Sequence, residues 1–468
     1  MVRLHRQNAA ASRRSPLESI SLLNPPVKYA DDAIRTQPSD GRAGVLDMDM
    51  WIEMGETSRG RFGRLIVLAF LVIGLGACNE IGATRDGASQ ESGPAAALLG
   101  RAEAGEVEAQ LAVGLFYRNA ATASEDSERA RNQAEALRWF TLAAEQGLAD
   151  AEFELGLMLV TAEGVHRNLV EGHRWLARAG EAGQAPALFM LGDLSKRGEG
   201  GPPNPVLAVA LWRRAAELGH IGALHRLGQA HEDGLGVEPD PEAALGFYRQ
   251  AADSGSEISQ YRLAVIYDEG LLTPRDAAEA VRFYRLAGEQ GYAPAQAQLG
   301  FLYARGDGVI QRYDEALRWS RMAAEQGDAD GCNNLAVLYL KGLGVEQSFE
   351  DALRWYRLAA QRQHPGAQNM LGTIYLTGQG VEINPGEAEH WWRMAAEQGY
   401  ASAQYNLGGM YTRKISESLE REEALDWLGR AAEQGHQSAA RELAELQAAI
   451  VEPVLDETAT VAPVRTTL

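Results

Sequence analysis

Three histidines, His220, His225 and His231, lie close enough along the chain to raise the question of a metal. Imidazole nitrogens ligate transition metals, but a site needs its donors on one face. His225 and His231 are six residues apart, about 240° around a helix, so they point to different faces. His220 occupies a slot shared with His364 and His436, directly after a recurring glycine, and reads as a packing or solvated position. No metal ligand and no cofactor are assigned. Cys78 and Cys332 are too far apart in sequence for a CxxC site or a disulfide framework. No GxSxG, phosphate-binding GxxxxGK, HExxH or dinucleotide GxGxxG stands in a suitable context. The recurrent Gly-Leu-Gly and Gly-Asp-Gly have no strand before them and no Lys-Ser after them, so they are turns. No catalytic residue is assigned.

Chemistry done to the chain is more legible. Arg59-Gly-Arg-Phe-Gly-Arg64 precedes an apolar run from Leu65 to Ala77, and Cys78 follows. A basic flank, a short apolar run and small residues before a cleavage point mark a secretory signal. The run is shorter than the roughly 20 residues a spanning helix needs. Leu75-Gly76-Ala77-Cys78 resembles the bacterial lipobox, which implies that Cys78 is diacylated and becomes the first residue of the mature protein. The alternative is an uncleaved signal anchor in the inner membrane. Residues 54–77 are thus expected to be the signal and 78–93 a linker. Residues 1–53 show no helical or strand period, and Met54 would give a signal of ordinary length. They are expected to be disordered, or to lie upstream of the true start. The expected location is the periplasm, with a lipid anchor; Asn79 after the cysteine favours the outer membrane.

What positions everything else is a repeat. Glycine closes a phrase at Gly147, Gly183, Gly219, Gly255, Gly291 and Gly327, each 36 residues after the last, and again at Gly399 and Gly435, with Gln363 in the missing slot. The step from Gly105 to Gly147 is longer, with an insertion around Ala120–Glu125. Within a unit such as 293–327, apolar or small residues recur three and four apart in two stretches, so each unit predicts two amphipathic helices. Gly306 and Gly308 separate them, and Gly327 suits a left-handed stop. Asp240-Pro241, Thr273-Pro274 and Asn384-Pro385 place a capping side chain before a proline that begins the second helix. A glycine inside the first helix (Gly156, Gly192, Gly228, Gly300, Gly372, Gly408) costs about 1 kcal/mol against alanine, and a close helix crossing is the expected compensation. Trp139, Trp175, Trp319, Trp355, Trp391 and Trp427 are expected to fill the space between units. One hairpin cannot bury these faces alone, so neighbours must stack.

The phrases Ala-x-x-x-Leu-Gly-x-x-Tyr, Gly-x-Gly-Val and Ala-x-x-Trp-x-x-x-Ala-Ala-x-x-Gly closely resemble the Sel1-like repeat, a relative of the tetratricopeptide repeat. The resemblance covers residues 94–450 in nine units and implies an all-α fold, an α/α solenoid wound as a right-handed superhelix of helix-turn-helix repeats. Ser195 and His231 depart from it in the Tyr slot, Leu271-Leu272-Thr273 replaces Leu-Gly-Val, and Lys414-Ile415-Ser416 loses the glycines. Those units are expected to pack less regularly. Residues 451–468 show no helical face and are expected to be disordered. Some cysteine-rich relatives were described as β-lactamases, but this chain lacks their cysteine pair per unit and any Ser-x-x-Lys in the repeats, which leaves a hydrolase only a remote alternative.

The net charge of −20 argues against nucleic acid, whose phosphates need clustered Lys and Arg. Similarity to tetratricopeptide arrays implies that first helices line a concave recognition face. The positions two before Leu-Gly, one after it, and four and five after it should project there. They are Phe153, Leu157 and Phe189, then His225, Glu232, Asp233, Tyr261, Asp268 and Glu269, then Phe301, Arg305, Lys341, Tyr405 and Arg413. The four acids are expected to form one patch facing a basic peptide segment. The resulting expectation is a non-enzymatic envelope scaffold that binds other proteins, either envelope or secretion components, and touches the membrane only through its lipid. The rival is a structural part of an exopolysaccharide export apparatus.

Overall fold

The computed structural model describes residues 94–161, 166–415 and 420–458. The expectations for 1–53, 54–77 and 78–93, the acylation of Cys78 included, lie outside the described residues. Twenty helices and no strand occur among those residues. Contacts divide the chain into two compact units, one ending at Gln290 and one beginning at Gly291.

In the first unit α1 (Pro94–Glu103) precedes five hairpins. They are α2 (Val107–Ala123) with α3 (Asp126–Glu145), α4 (Ala149–Thr161) with α5 (Leu169–Glu181), α6 (Ala185–Arg197) with α7 (Pro205–Glu217), α8 (Ile221–Asp233) with α9 (Pro241–Asp253), and α10 (Glu257–Glu269) with α11 (Ala277–Glu289). In the second unit α12 (Ala293–Arg305) pairs with α13 (Tyr313–Glu325), α14 (Ala329–Lys341) with α15 (Phe349–Gln361), α16 (Pro365–Thr377) with α17 (Pro385–Glu397), and α18 (Ala401–Thr412) with α19 (Arg421–Glu433). The last helix, α20 (Gln437–Thr458), closes the stack. Within each unit every helix packs on the next in chain order, so each is a segment of an all-α solenoid. No described helix is long and apolar enough to cross a membrane. Helix α20 passes the Ile450 boundary set from sequence. Leu443 and Leu446 anchor it on the preceding hairpin, and no glycine or capping residue stops it at that point.

The helix ends follow the 36-residue period. The closing glycines adopt φ between 84 and 101°, the left-handed conformation that ends α3, α5 and their equivalents. Gln363 must take the same conformation, at φ 63°. Asp240 accepts from the amides of Glu242 and Ala243, and Asn384 from Glu387, so both cap as expected. Thr273-Pro274 does not. Helix α11 starts at Ala277 with Asp276 as its cap, because Asp276 holds the slot one period after Asp240. The sequence reading also overlooked Asn204, which caps α7 ahead of Pro205.

The first-helix glycines sit where helices cross closely. A Cβ on Gly156 would lie 2.8 Å from Leu176 Cγ, 3.0 Å from its amide nitrogen and 3.1 Å from the Gly172 carbonyl. On Gly228 it would meet the Tyr248 ring at 2.6 Å, and on Gly372 the Trp392 ring at 2.5 Å. The second-helix residue facing the glycine is large in eight of the nine hairpins: Phe140, Leu176, Trp212, Tyr248, Tyr284, Tyr356, Trp392 and Leu428, all buried. Glutamines stitch one repeat to the next. Gln260 donates to the Ala252 carbonyl at 3.1 Å and accepts from Gln290 at 2.8 Å, and Gln368 and Gln404 repeat the pattern. Cys332 occupies this slot in α14 and makes only a long 3.8 Å contact to Ala324 O.

Candidate partner-binding site

The residues expected on one recognition face divide by environment. Leu157, Phe189 and His225 are corrected: they are buried and cannot touch a partner. Phe189 stacks on His220 with centroids 4.3 Å apart inside a cluster that also holds Leu157. The reason is local. Each aromatic is covered by a ring of its own repeat, Phe189 by His220 and His225 by Tyr248 with centroids 5.4 Å apart.

The acids are corrected too. Glu232 accepts from the Tyr248 hydroxyl at 2.7 Å and pairs with Arg262 of the next repeat. Asp268 pairs with Arg275 at 3.2 Å. Asp233 and Glu269 are exposed. The charge of Asp233 acts on nearby Lys196, whose pKa burial lowers. Two of the four acids are thus neutralised by arginines of the same chain, so the group is not a bare acidic patch. Similar inter-repeat pairs join Arg118 to Glu154 and Arg226 to Asp193. Phe153 and Tyr261 are half-buried on the first-helix face, and Arg413 lies over the half-buried Tyr405 ring at 5.8 Å.

Phe301, Arg305 and Lys341 are brought together. They line a cavity of about 380 Å³ between α12, α13 and α14, along with Ser320, Asn333 and Val337. No carboxylate lines it. Arg305 lies over the Phe301 ring at 5.2 Å, and burial lowers the Lys341 pKa. Ser320 and Asn333 escaped the sequence reading. The signal was present: Ser320 is the one small residue in the otherwise bulky series facing the first-helix glycines.

Nine consecutive copies of the Sel1 repeat match between residues 107 and 436, most of them 36 residues long. The chain belongs to the Sel1 repeat family. A protective antigen of uropathogenic Escherichia coli displaying an SLR fold is 32% identical, with 75% of this chain and 73% of that chain covered and a TM-score of 0.62. A Sel1 repeat protein from Oxalobacter formigenes is 28% identical over 52% of this chain and 96% of its own, with a TM-score of 0.49. No curated protein matches the chain.

Sel1 repeats form protein-interaction scaffolds, and the polar groups inside this one serve the scaffold. His225 Nδ1 lies 2.9 Å from Ser259 Oγ, an arrangement that could suggest a nucleophile and its base. Both residues are buried, and Ser259 is also tied to Ser256 Oγ at 3.1 Å, so the pair is sealed from any substrate. Burial and the adjacent Arg226 and Arg262 push the His225 pKa down to about 3, which keeps the ring neutral. His220, His364 and His436 cap helices instead of sitting loosely: each Nδ1 accepts the amide three residues on, at 3.2, 2.9 and 3.1 Å. With Nδ1 accepting, His364 donates through Nε2 to Asp330 at 3.0 Å. Among the described residues no group of three or more His, Cys, Asp or Glu could hold a metal.

Proposed function

We propose that this Sel1 repeat protein is a non-enzymatic adaptor of the bacterial cell envelope, anchored by lipid at Cys78 and holding protein partners on its first-helix faces. One observation carries the reading. The buried side of the first helices repeats a small residue in every one of the nine repeats and a glutamine in five of them, while the outer side varies among half-buried Phe301, Lys341 and Tyr405 and exposed Arg305 and Arg413. A constant core under a varied surface suits recognition. The His225–Ser259 pair, which resembles catalytic machinery, is sealed, which supports binding without chemistry. The anchor rests on the basic flank, the apolar run and Leu75-Gly76-Ala77-Cys78.

Two measurements test this. Intact mass of the protein from membranes is expected to show a chain beginning at an acylated Cys78, and Cys78→Ala is expected to leave it unprocessed. Retention of residues 1–77 would remove the lipid anchor from the proposal. Crosslinking in intact envelopes, followed by purification of the full chain, is expected to recover a discrete protein partner at near-equal stoichiometry. Recovery of the chain alone, with turnover of a small substrate that survives purification, would overturn the adaptor reading.

A further inference from the structure

The slot facing the first-helix glycine holds a large buried side chain in eight hairpins and Ser320 in the ninth. A cavity of about 380 Å³ opens at this place, with Gly300 and Ser320 both in its wall. That volume lies within the range of sites that hold real ligands. Ser320 is fully buried, and its Oγ, aimed at Gly300, has no hydrogen-bond partner. The core here holds a serine where the other hairpins hold a ring or a leucine, and its hydroxyl is one of the few buried polar atoms without a partner among the described residues, both of which oppose folding. The opening is flanked by two cations, Arg305 and Lys341, neither of which forms an ion pair among the described residues. In a chain of net charge −20, a cavity with two cations and no carboxylate stands out.

We propose that the Ser320 cavity is the docking subsite for an acidic segment of a partner protein. The segment places an aromatic side chain where six of the other repeats keep their own ring, and sets a neighbouring carboxylate against Arg305 and Lys341. The buried ring supplies the anchor that gives such contacts most of their affinity, and the charges set partner choice and encounter rate. Asn333 at the wall offers amide hydrogen bonds to the segment's backbone. This inference rests on the adaptor reading and adds the chemistry of the partner.

The full chain is titrated with a fluorescent, end-blocked pentapeptide, Glu-Asp-Phe-Asp-Glu, and with versions carrying Ala for Phe or Lys for each acid. Saturable binding is expected for the first peptide and a loss of tenfold or more for the other two. Ser320→Tyr fills the cavity as Tyr248 and Tyr356 fill theirs, and is expected to weaken binding at least tenfold while thermal melting holds or rises. The double variant Arg305→Glu/Lys341→Glu acts at the rim and is expected to match that loss with unchanged helicity, so the test survives even if Ser320→Tyr misfolds. Equal binding by Ser320→Tyr, or by the lysine peptide, overturns the proposal. So does preferential binding of free phenylacetate, which would make the cavity a small-molecule site. If no peptide binds but a protein partner is still recovered by crosslinking, this subsite is wrong and the adaptor reading stands.

Discussion

His220 carries two jobs that both need a neutral ring. Its Nδ1 accepts the Ala223 amide at the start of α8, and its face lies on Phe189. Burial lowers its pKa from 6.5 to about 4. The unfolded ring therefore binds a proton at a higher pH than the folded one, and stability falls with pH across that interval. His220 is expected to contribute fully above about pH 6.5, to lose its contribution between there and about 4, and to change no further below. His220→Asn keeps a capping oxygen without a titrating ring. The melting difference between wild type and this variant should shrink over that window, and a flat difference would contradict the assignment. Gln363 is a second residue whose backbone defines it. At φ 63° it stands where eight other repeats have glycine, and its side chain is exposed. A left-handed non-glycine residue costs about 1–2 kcal/mol, partly offset by the greater chain entropy glycine loses on folding. Gln363→Gly is therefore expected to stabilise its repeat by about 0.5–1 kcal/mol, measured by urea unfolding.

At the scale of a helix pair, intrinsic propensity and packing oppose each other. Alanine in place of a mid-helix glycine ordinarily gains about 1 kcal/mol. At Gly156 the new Cβ would press on the Leu176 backbone nitrogen and the Gly172 carbonyl, so α4 and α5 would have to part. Overpacking of this kind costs about 1–3 kcal/mol, which exceeds the gain. Gly156→Ala is expected to destabilise the hairpin, and a rise in melting temperature would show that the two helices move apart freely. Gly429 is the control, since a Cβ there meets nothing within 4 Å and its hairpin should be stabilised instead.

Across the whole molecule, stability is expected to be local. Trp392 is buried, donates to the Asn369 carbonyl at 3.0 Å and belongs to a cluster shared by α17, α18 and α19. Trp392→Ala removes the ring and one hydrogen bond to that carbonyl, which Thr373 Oγ1 still reaches at 3.1 Å, at a cost of about 3–5 kcal/mol. Because each repeat touches mainly its neighbours, amide exchange should rise in residues 365–436 and the adjoining α14–α15 hairpin, while hairpins nearer the amino terminus keep their protection. Uniform loss along the chain would contradict nearest-neighbour coupling. The same locality lets a cavity such as the one at Ser320 exist without unsettling distant repeats.

Period and composition determined the architecture from sequence alone. A phrase repeated every 36 residues, with glycine stops and a glycine inside most first helices, admits little besides stacked helical hairpins, and that logic is local in the chain. It also located most of the helix ends, and it missed Asp276 because Thr273-Pro274 imitates a cap out of phase with the period. Which outer positions are surface was a different question. Phe189 occupies the slot of half-buried Phe153 and Tyr261, and Glu232 that of exposed Lys196, yet one is buried against His220 and the other is neutralised by Arg262. Their environments depend on the particular side chains packed beside them, and a period says where residues recur, not what faces them. Tertiary packing likewise decided the pocket. The sequence marks Ser320 as the one small residue of its series, but only packing sets it in a cavity wall beside Gly300 and brings Arg305 and Lys341, from helices 36 residues apart, to the rim.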